Sequence, residues 1–286
     1  MAVSVIPTLD LERAIAEQGY DVIVGFDEVG RGSLAGPVMV GAAAIWARDL
    51  GGFSGVRGGE SAGRGESGES GDLDGAEAEA AGGASGAGVA PLEVPKGVAD
   101  SKMLTERKRE AIFDELEQWC AAWAVGAASN TEIDEWGISY ALGVAALRAL
   151  AEVERKLGVG GAGSVGFSGS AGSAGGTLPK SLKIGAILDG PNDYITKALN
   201  TFDAPDVPIP ADVTCKVKGD RYCAAVAAAA VIAKVTRDRL MVELGAQPQY
   251  EPYEWAHNKG YGSAAHRDAI AEFGPSDLHR LSWHLV

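Results

Sequence analysis

The sequence predicts an α/β fold, a sheet covered by helices. Apolar, β-rich runs alternate with amphipathic stretches, and two early runs joined by a glycine-rich turn read as a β-hairpin. Three of the runs also close on acids: Asp27-Glu28, Asp189 and Asp220. Taken in order, residues 8–18 carry helical periodicity, with Thr8 as the expected N-cap. Residues 22–27 and 36–46 are small and β-branched, bounded by Gly and Pro, and predict two strands joined through the Gly30–Gly36 turn. From about 51 to 90 the chain is Gly, Ser, Ala and Glu, too poor in large apolar groups to offset ordering entropy, so a flexible insertion is expected. Thr105–Cys120 predicts a helix with Leu104, Ile112, Phe113 and Leu116 on its apolar side. Trp123–Ala128 then reads as a short strand and Thr131–Leu157 as one long helix. A second Gly/Ser/Ala stretch, 158–176, precedes the buried strand Ile184–Leu188 and the strand Val213–Val217. Arg221–Leu244 is alanine-rich and predicts a helix slim enough to pack closely on a sheet; a last helix is expected over Ser263–Phe273.

The formal charge of −14 and pI near 4.7 argue against a strongly cationic nucleic-acid binder. That charge is uneven. Arg48–Glu93 holds nine acids against three arginines, whereas Val213–Val286 holds nine Lys/Arg against eight Asp/Glu. Cys120, Cys215 and Cys223 lack CxxC spacing and a partner histidine pattern, so reduced core thiols are expected rather than zinc ligands or disulfides. The N-terminus has no basic n-region or long apolar run, and no stretch of about 20 apolar residues occurs elsewhere, so a cytoplasmic protein without membrane association is expected. Nothing resembles a coiled coil, and a monomer is the default.

The acids carry the chemistry. Buried carboxylates cost several kcal/mol unless metal or hydrogen bonds compensate. Hard divalent ions prefer oxygen ligands, and four carboxylates suit two ions roughly 3.5–4 Å apart that clamp the oxygens of an in-line displacement. Neighbouring strand residues point to opposite faces, so Glu28 is expected just past the strand end, re-aimed by the glycine turn. Lys218, two residues before Asp220, is expected to share its face. Gly30-Arg31-Gly32 lets backbone approach something that Arg31 marks as anionic. Acids for metal beside a loop for phosphate point to phosphodiester chemistry.

Phe26-Asp27-Glu28-Val29-Gly30-Arg31-Gly32-Ser33-Leu34-Ala35-Gly36-Pro37-Val38 resembles the opening signature of ribonuclease HII. The match continues in order through Asp100-Ser101-Lys102-Met103-Leu104, Ile187-Leu188-Asp189-Gly190 and Val217-Lys218-Gly219-Asp220. It runs on through Ile232–Asp238, Lys259-Gly260-Tyr261-Gly262-Ser263, His266 and Gly274–Arg280, covering nearly everything except the two Gly-rich stretches. The resemblance implies a single ribonuclease H-like catalytic domain over residues 1–286: a mixed five-stranded sheet flanked by helices, with a C-terminal helical extension. It implies Asp27, Glu28, Asp189 and Asp220 as ligands of Mg²⁺ or Mn²⁺, two ions during catalysis. The implied substrates are RNA–DNA hybrids and duplex DNA carrying ribonucleotides, cut 5′ to the ribonucleotide to leave a 3′-hydroxyl and a 5′-phosphate. Gly30, Arg31 and Gly32 would sense the 2′-hydroxyl, Tyr261 would stack on the following deoxyribose, and Ser101-Lys102 would touch phosphate. Arg237 and Asp238 read as a structural ion pair, and His266 and His279 as fold or backbone-contact residues.

The sequence also departs from the family. Tyr222, Ala225 and Ala230 stand where a lysine and two serines are usual, which removes expected phosphate contacts that Arg221 would offset in part. Ribonuclease HIII-like activity on long hybrids is the nearest alternative, disfavoured because no extra substrate-binding domain precedes Asp27. A non-catalytic duplex-binding module is disfavoured by the intact acids, and a small-molecule phosphatase leaves Gly30-Arg31-Gly32 and Gly260-Tyr261-Gly262 unexplained. Ser282–Val286, with one aromatic, is the only sequence pointing to a replication or repair partner, and it points weakly.

Overall fold

The computed structural model describes residues 6–51, 91–99, 103–159 and 182–286. The two Gly-rich stretches fall outside these residues apart from Gly51, Gly158 and Val159, as do Asp100, Ser101 and Lys102. In chain order the elements are α1 (Asp10–Ala16), β1 (Val22–Val29), β2 (Val38–Trp46), α2 (Glu106–Trp119), β3 (Ala122–Ala128), α3 (Asn130–Trp136) and α4 (Ile138–Lys156). They continue as β4 (Ile184–Asp189), α5 (Tyr194–Leu199), β5 (Asp212–Lys216), α6 (Gly219–Tyr222), α7 (Ala224–Gly245), α8 (Trp255–Asn258) and α9 (Ala264–Phe273).

The strands form one mixed sheet in the order β3-β2-β1-β4-β5. β1, β2 and β3 pair antiparallel as a meander, while β4 and β5 add in parallel on the other side of β1. Alternation along the strands divides the core into two layers. Val22, Val24, Phe26, Val40, Ala42 and Leu188 pack against Leu142, Leu147 and Leu150 of α4. On the opposite face Ile23 and Ile187 meet Ile15 of α1 and Val226 of α7, and Ala43 meets Val231 and Ile232 of α7 with Phe113 and Leu116 of α2. α7 lies very close to this face because the contact is made of small residues. A Cβ on Gly25 would sit 2.3 Å from the Ala225 carbonyl carbon, and one on Gly41 would sit 2.4 Å from the Ala229 oxygen. A third cluster of Leu34, Met241, Tyr250, Tyr253, Trp255 and Ile270 seats α8, α9 and the tail, the expected C-terminal extension.

Several boundaries differ from expectation, each for a nonlocal reason. Thr8 does not cap α1: its backbone makes a parallel bridge to Cys223, so the helix starts at Asp10, and the Thr8 hydroxyl donates to the Asp10 carboxylate. That bridge also divides the expected Arg221–Leu244 helix, because Thr8 N–H bonds Tyr222 O and Ala224 N–H bonds Thr8 O, holding Cys223 extended between α6 and α7. The expected Thr131–Leu157 helix is likewise two helices, split at Gly137, whose φ of +78° is available to glycine at little cost. Ser129 and Glu132 form a capping box on the first. Cys120 and Cys223 are buried thiols, but Cys215 is exposed on β5 at the sheet edge, contrary to a core placement for all three. Trp283 is half-buried with the Arg280 guanidinium over its ring at 4.9 Å, so it is engaged within the fold. No helix among the described residues is long and apolar enough to cross a membrane.

Glu12 on α1 is completely buried beneath the start of α7, where Oε1 accepts from Ala225 N–H at 2.9 Å and Oε2 has no partner among the described residues. Burial pushes its carboxyl up from 4.5 to about 7, against the opposing pull of that N–H. Because the folded value exceeds the unfolded one, the stability Glu12 contributes is present below 4.5 and is lost as pH rises through about 7. The full swing is on the order of 3 kcal/mol. Glu12→Gln should therefore remove that share of the decline, read by urea unfolding at either end of this window. An unchanged pH slope would show that Glu12 is already ionised in the fold.

Candidate active site

Three elements bring carboxylates together where β1 and β4 end beside α6. Asp27 is the sixth residue of β1, paired with Gly41, on the face that α7 covers. Asp189 closes β4, and Asp220 sits in α6. Carboxylate oxygens of the three lie within 4.8 Å of one another. Asp27 is 6% and Asp220 3% exposed. Backbone amides orient them: Glu28 N–H donates to Asp27 Oδ1 at 2.9 Å, and Gly219 N–H to Asp189 Oδ1 at 2.6 Å. Three carboxylates this close repel one another when all are ionised, and a bound cation would offset that repulsion. An all-oxygen, mostly buried set fits a hard divalent cation.

Glu28 is not the residue past the strand that the alternation argument anticipated. β1 runs on to Val29 because Glu28 and Val29 keep pairing with Val40 and Met39 of β2. Glu28 therefore points to the face opposite Asp27, the face covered by α4 and α5. There Tyr194 Oη donates to Glu28 Oε2 at 3.1 Å, and Arg31 Nη1 reaches Oε1 at 3.2 Å. Burial and the Glu28 charge push the Tyr194 hydroxyl well above its ordinary range, which keeps it a donor. Glu28 still borders the site: it lines, with Asp189, Arg31, Asn192, Tyr194 and Lys197, a cavity of about 440 Å³. The Arg31 side chain is half exposed, so its pair with Glu28 is worth only about 0–1 kcal/mol. Lys218 does not share a strand face with Asp220, since it takes a left-handed turn (φ +59°) at the position just before α6.

The glycine loop and Tyr261 are in contact. Ser33 bridges Tyr261, Leu34 N–H bonds Gly260 O at 2.8 Å, and the Tyr261 hydroxyl accepts from Gly30 N–H at 3.1 Å. Ser101 and Lys102 lie outside the described residues. Ala225 and Ala230 are 0% and 3% exposed on α7, so the hydroxyls expected there would have faced the protein interior; only Tyr222 is open, with Lys216 Nζ over its ring at 5.7 Å. Arg237 and Asp238 do not pair with each other. Asp238 takes Lys234 at 2.6 Å and Arg109 at 3.7 Å, while Arg237 turns to backbone carbonyls and Ser33 of the loops. His266 and His279 are fully buried, their Nε2 atoms 3.0 Å apart beside Trp255, away from the acids. Sequence reasoning missed Tyr194 and Lys197, which α5 delivers, Asn192 in the turn before it, and the loop contacts of Arg280, which only the tertiary fold creates.

Comparison with known proteins finds relatives in one nuclease family. The family model "Ribonuclease HII" matches residues 189–286. The chain is 34% identical to a ribonuclease HII of Streptomyces avermitilis over 97% of this chain and 83% of that one. Among solved structures it is similar to ribonuclease H2 from Pyrococcus horikoshii OT3 (TM-score 0.53, 21% identity, 92% and 94% of the two chains). It is also similar to Bst-RNase HIII in complex with Mn²⁺ (TM-score 0.55, 18% identity, 94% and 70%). These structural likenesses concern the fold.

Proposed function

The chain belongs to the ribonuclease HII family, and from that premise we propose that it is a divalent-metal-dependent endoribonuclease that cuts on the 5′ side of ribonucleotides in duplex DNA and RNA–DNA hybrids. The observation that carries the reading is the Asp27–Asp189–Asp220 cluster, within 4.8 Å, beside the Gly30-Arg31-Gly32 loop. These acids fit Mg²⁺ or Mn²⁺, with Glu28, which lines a cavity together with Asp189, as the fourth carboxylate for a second ion. When bound, such ions lower the pKa of a water and neutralise charge on the phosphoryl oxygens.

The remaining work belongs to the chain. Arg31, released from Glu28, meets a phosphate, and the loop backbone reads the 2′-hydroxyl that separates RNA from DNA. Tyr261, its hydroxyl tied to Gly30 N–H, packs beside the nucleotide next to the cut, and Ser101 and Lys102 hold a neighbouring phosphate. Tyr194 holds Glu28 in place as a neutral donor. Water adds to phosphorus as the bond to the preceding 3′-oxygen breaks, so the 3′-hydroxyl leaves on DNA and the phosphate stays on the ribonucleotide. Mapping the product ends on a duplex with one ribonucleotide tests this. A cut 5′ to that ribonucleotide with a 3′-hydroxyl is expected, and cutting of long hybrids alone would move the reading to a ribonuclease HIII-like enzyme.

A further inference from the structure

Arg280 is a fully buried cation whose hydrogen bonds all end on backbone carbonyls. Nη2 reaches Gly30 O at 2.7 Å and Gly36 O at 3.1 Å, Nη1 reaches Arg31 O at 3.0 Å, and Nε reaches Gly36 O at 3.2 Å. No carboxylate forms an ion pair with it among the described residues. Arg237, also fully buried, stands behind it and binds Pro37 O, Ala35 O, Lys259 O and the Ser33 hydroxyl. Burying two guanidinium groups so close together is costly, which burial and Arg237 register by lowering Arg280 to about 9. It remains charged at neutral pH. An arrangement this costly is poorly explained by loop stability alone, because neutral donors would satisfy the same carbonyls at less cost.

Peptide geometry says what the arrangement does. The C=O of Gly30 shares a peptide plane with the N–H of Arg31, and the C=O of Arg31 with the N–H of Gly32. No peptide among the described residues is cis, and in a trans peptide N–H and C=O point opposite ways. Pulling both carbonyls onto Arg280 therefore turns the two consecutive amides away from it. Neither amide donates a hydrogen bond among the described residues, Arg31 and Gly32 are both exposed, and a Cβ on Gly32 would meet nothing within 4 Å. Consecutive outward amides form an anion-binding concavity, and two buried positive charges behind them strengthen it.

Building on the function proposed above, we propose that Arg280, backed by Arg237, is a positioning residue that aims the Arg31 and Gly32 amides at an acceptor oxygen of the ribonucleotide substrate. Arg280→Lys keeps the charge, but one ammonium lacks the planar fork that spans Gly30, Arg31 and Gly36. On a duplex with one ribonucleotide the variant should show KM raised about tenfold or more, since small displacements of a binding group are expensive. A purely structural loss would lower the active fraction, reducing kcat and leaving KM unchanged. Unchanged KM in a folded variant overturns the assignment while wild-type cleavage stands. A wild type that cuts no ribonucleotide substrate overturns the functional reading beneath it. Should Arg280→Lys not fold, ¹H–¹⁵N spectra of the wild type decide: with metal chelated, the Arg31 and Gly32 amides should shift on adding the ribonucleotide duplex, and resonances that stay in place would overturn the proposal.

Discussion

Asp27→Asn is expected to lower kcat on a ribonucleotide-containing duplex by a factor on the order of 10³ or more, because groups merely supporting metal ligands already cost 10–100-fold. Asn keeps the oxygen that accepts from Glu28 N–H, so β1 and its register should survive. Stability should move the other way. Without metal, Asp27, Asp189 and Asp220 repel within 4.8 Å, and removing one charge relieves that repulsion. The variant should therefore unfold at an equal or higher denaturant concentration in chelator, and gain less than wild type when Mn²⁺ is added. Kinetics and paired urea unfolding curves, with and without Mn²⁺, check both halves. An active variant, or one that gains as much from Mn²⁺ as wild type, would remove Asp27 from the proposed site.

Gly25→Ala carries the largest expected effect on the fold. The added methyl would lie 2.3 Å from the Ala225 carbonyl carbon and 2.4 Å from Val226 N, both backbone atoms of α7. Neither can rotate out of the way, so the helix and β1 must separate. Overpacking against side chains costs about 1–3 kcal/mol, and against backbone at least the upper end of that range is expected. That is a large part of the 5–15 kcal/mol typical of a whole domain. Since β1 carries Asp27 two residues on, activity should fall as well. Thermal or urea unfolding measures the loss, and a midpoint within error of wild type would show that α7 can shift freely.

Much of this site was legible because its acids follow apolar runs. Val22–Phe26 and Ile184–Leu188 announce strands, and Asp27 and Asp189 stand where those runs stop. Period-two alternation also showed that Asp27 and Glu28 cannot share a face. What it could not show was that pairing with Met39 and Val40 carries β1 past both acids, leaving Glu28 with Tyr194 on the other side. Asp220 was placed after a strand because Val213–Val217 is β-rich, whereas Lys218 enters a left-handed turn and starts α6. Partners distant in sequence were hardest to read. The break at Cys223 is imposed by Thr8, and the grip of Arg280 on Gly30 joins residues 250 positions apart. Neither leaves a local signal.

The central claim is that Asp27, Asp189 and Asp220 bind the divalent ion that makes ribonucleotide-directed cleavage possible. Its most direct test is to strip the protein with chelator, offer it duplex DNA containing one ribonucleotide, and add back Mg²⁺ or Mn²⁺. Cleavage absent in chelator and restored by either ion, at the bond 5′ to the ribonucleotide, is the expected result. Cleavage that persists at full rate without divalent metal, or that neither ion restores in the folded protein, would contradict the account.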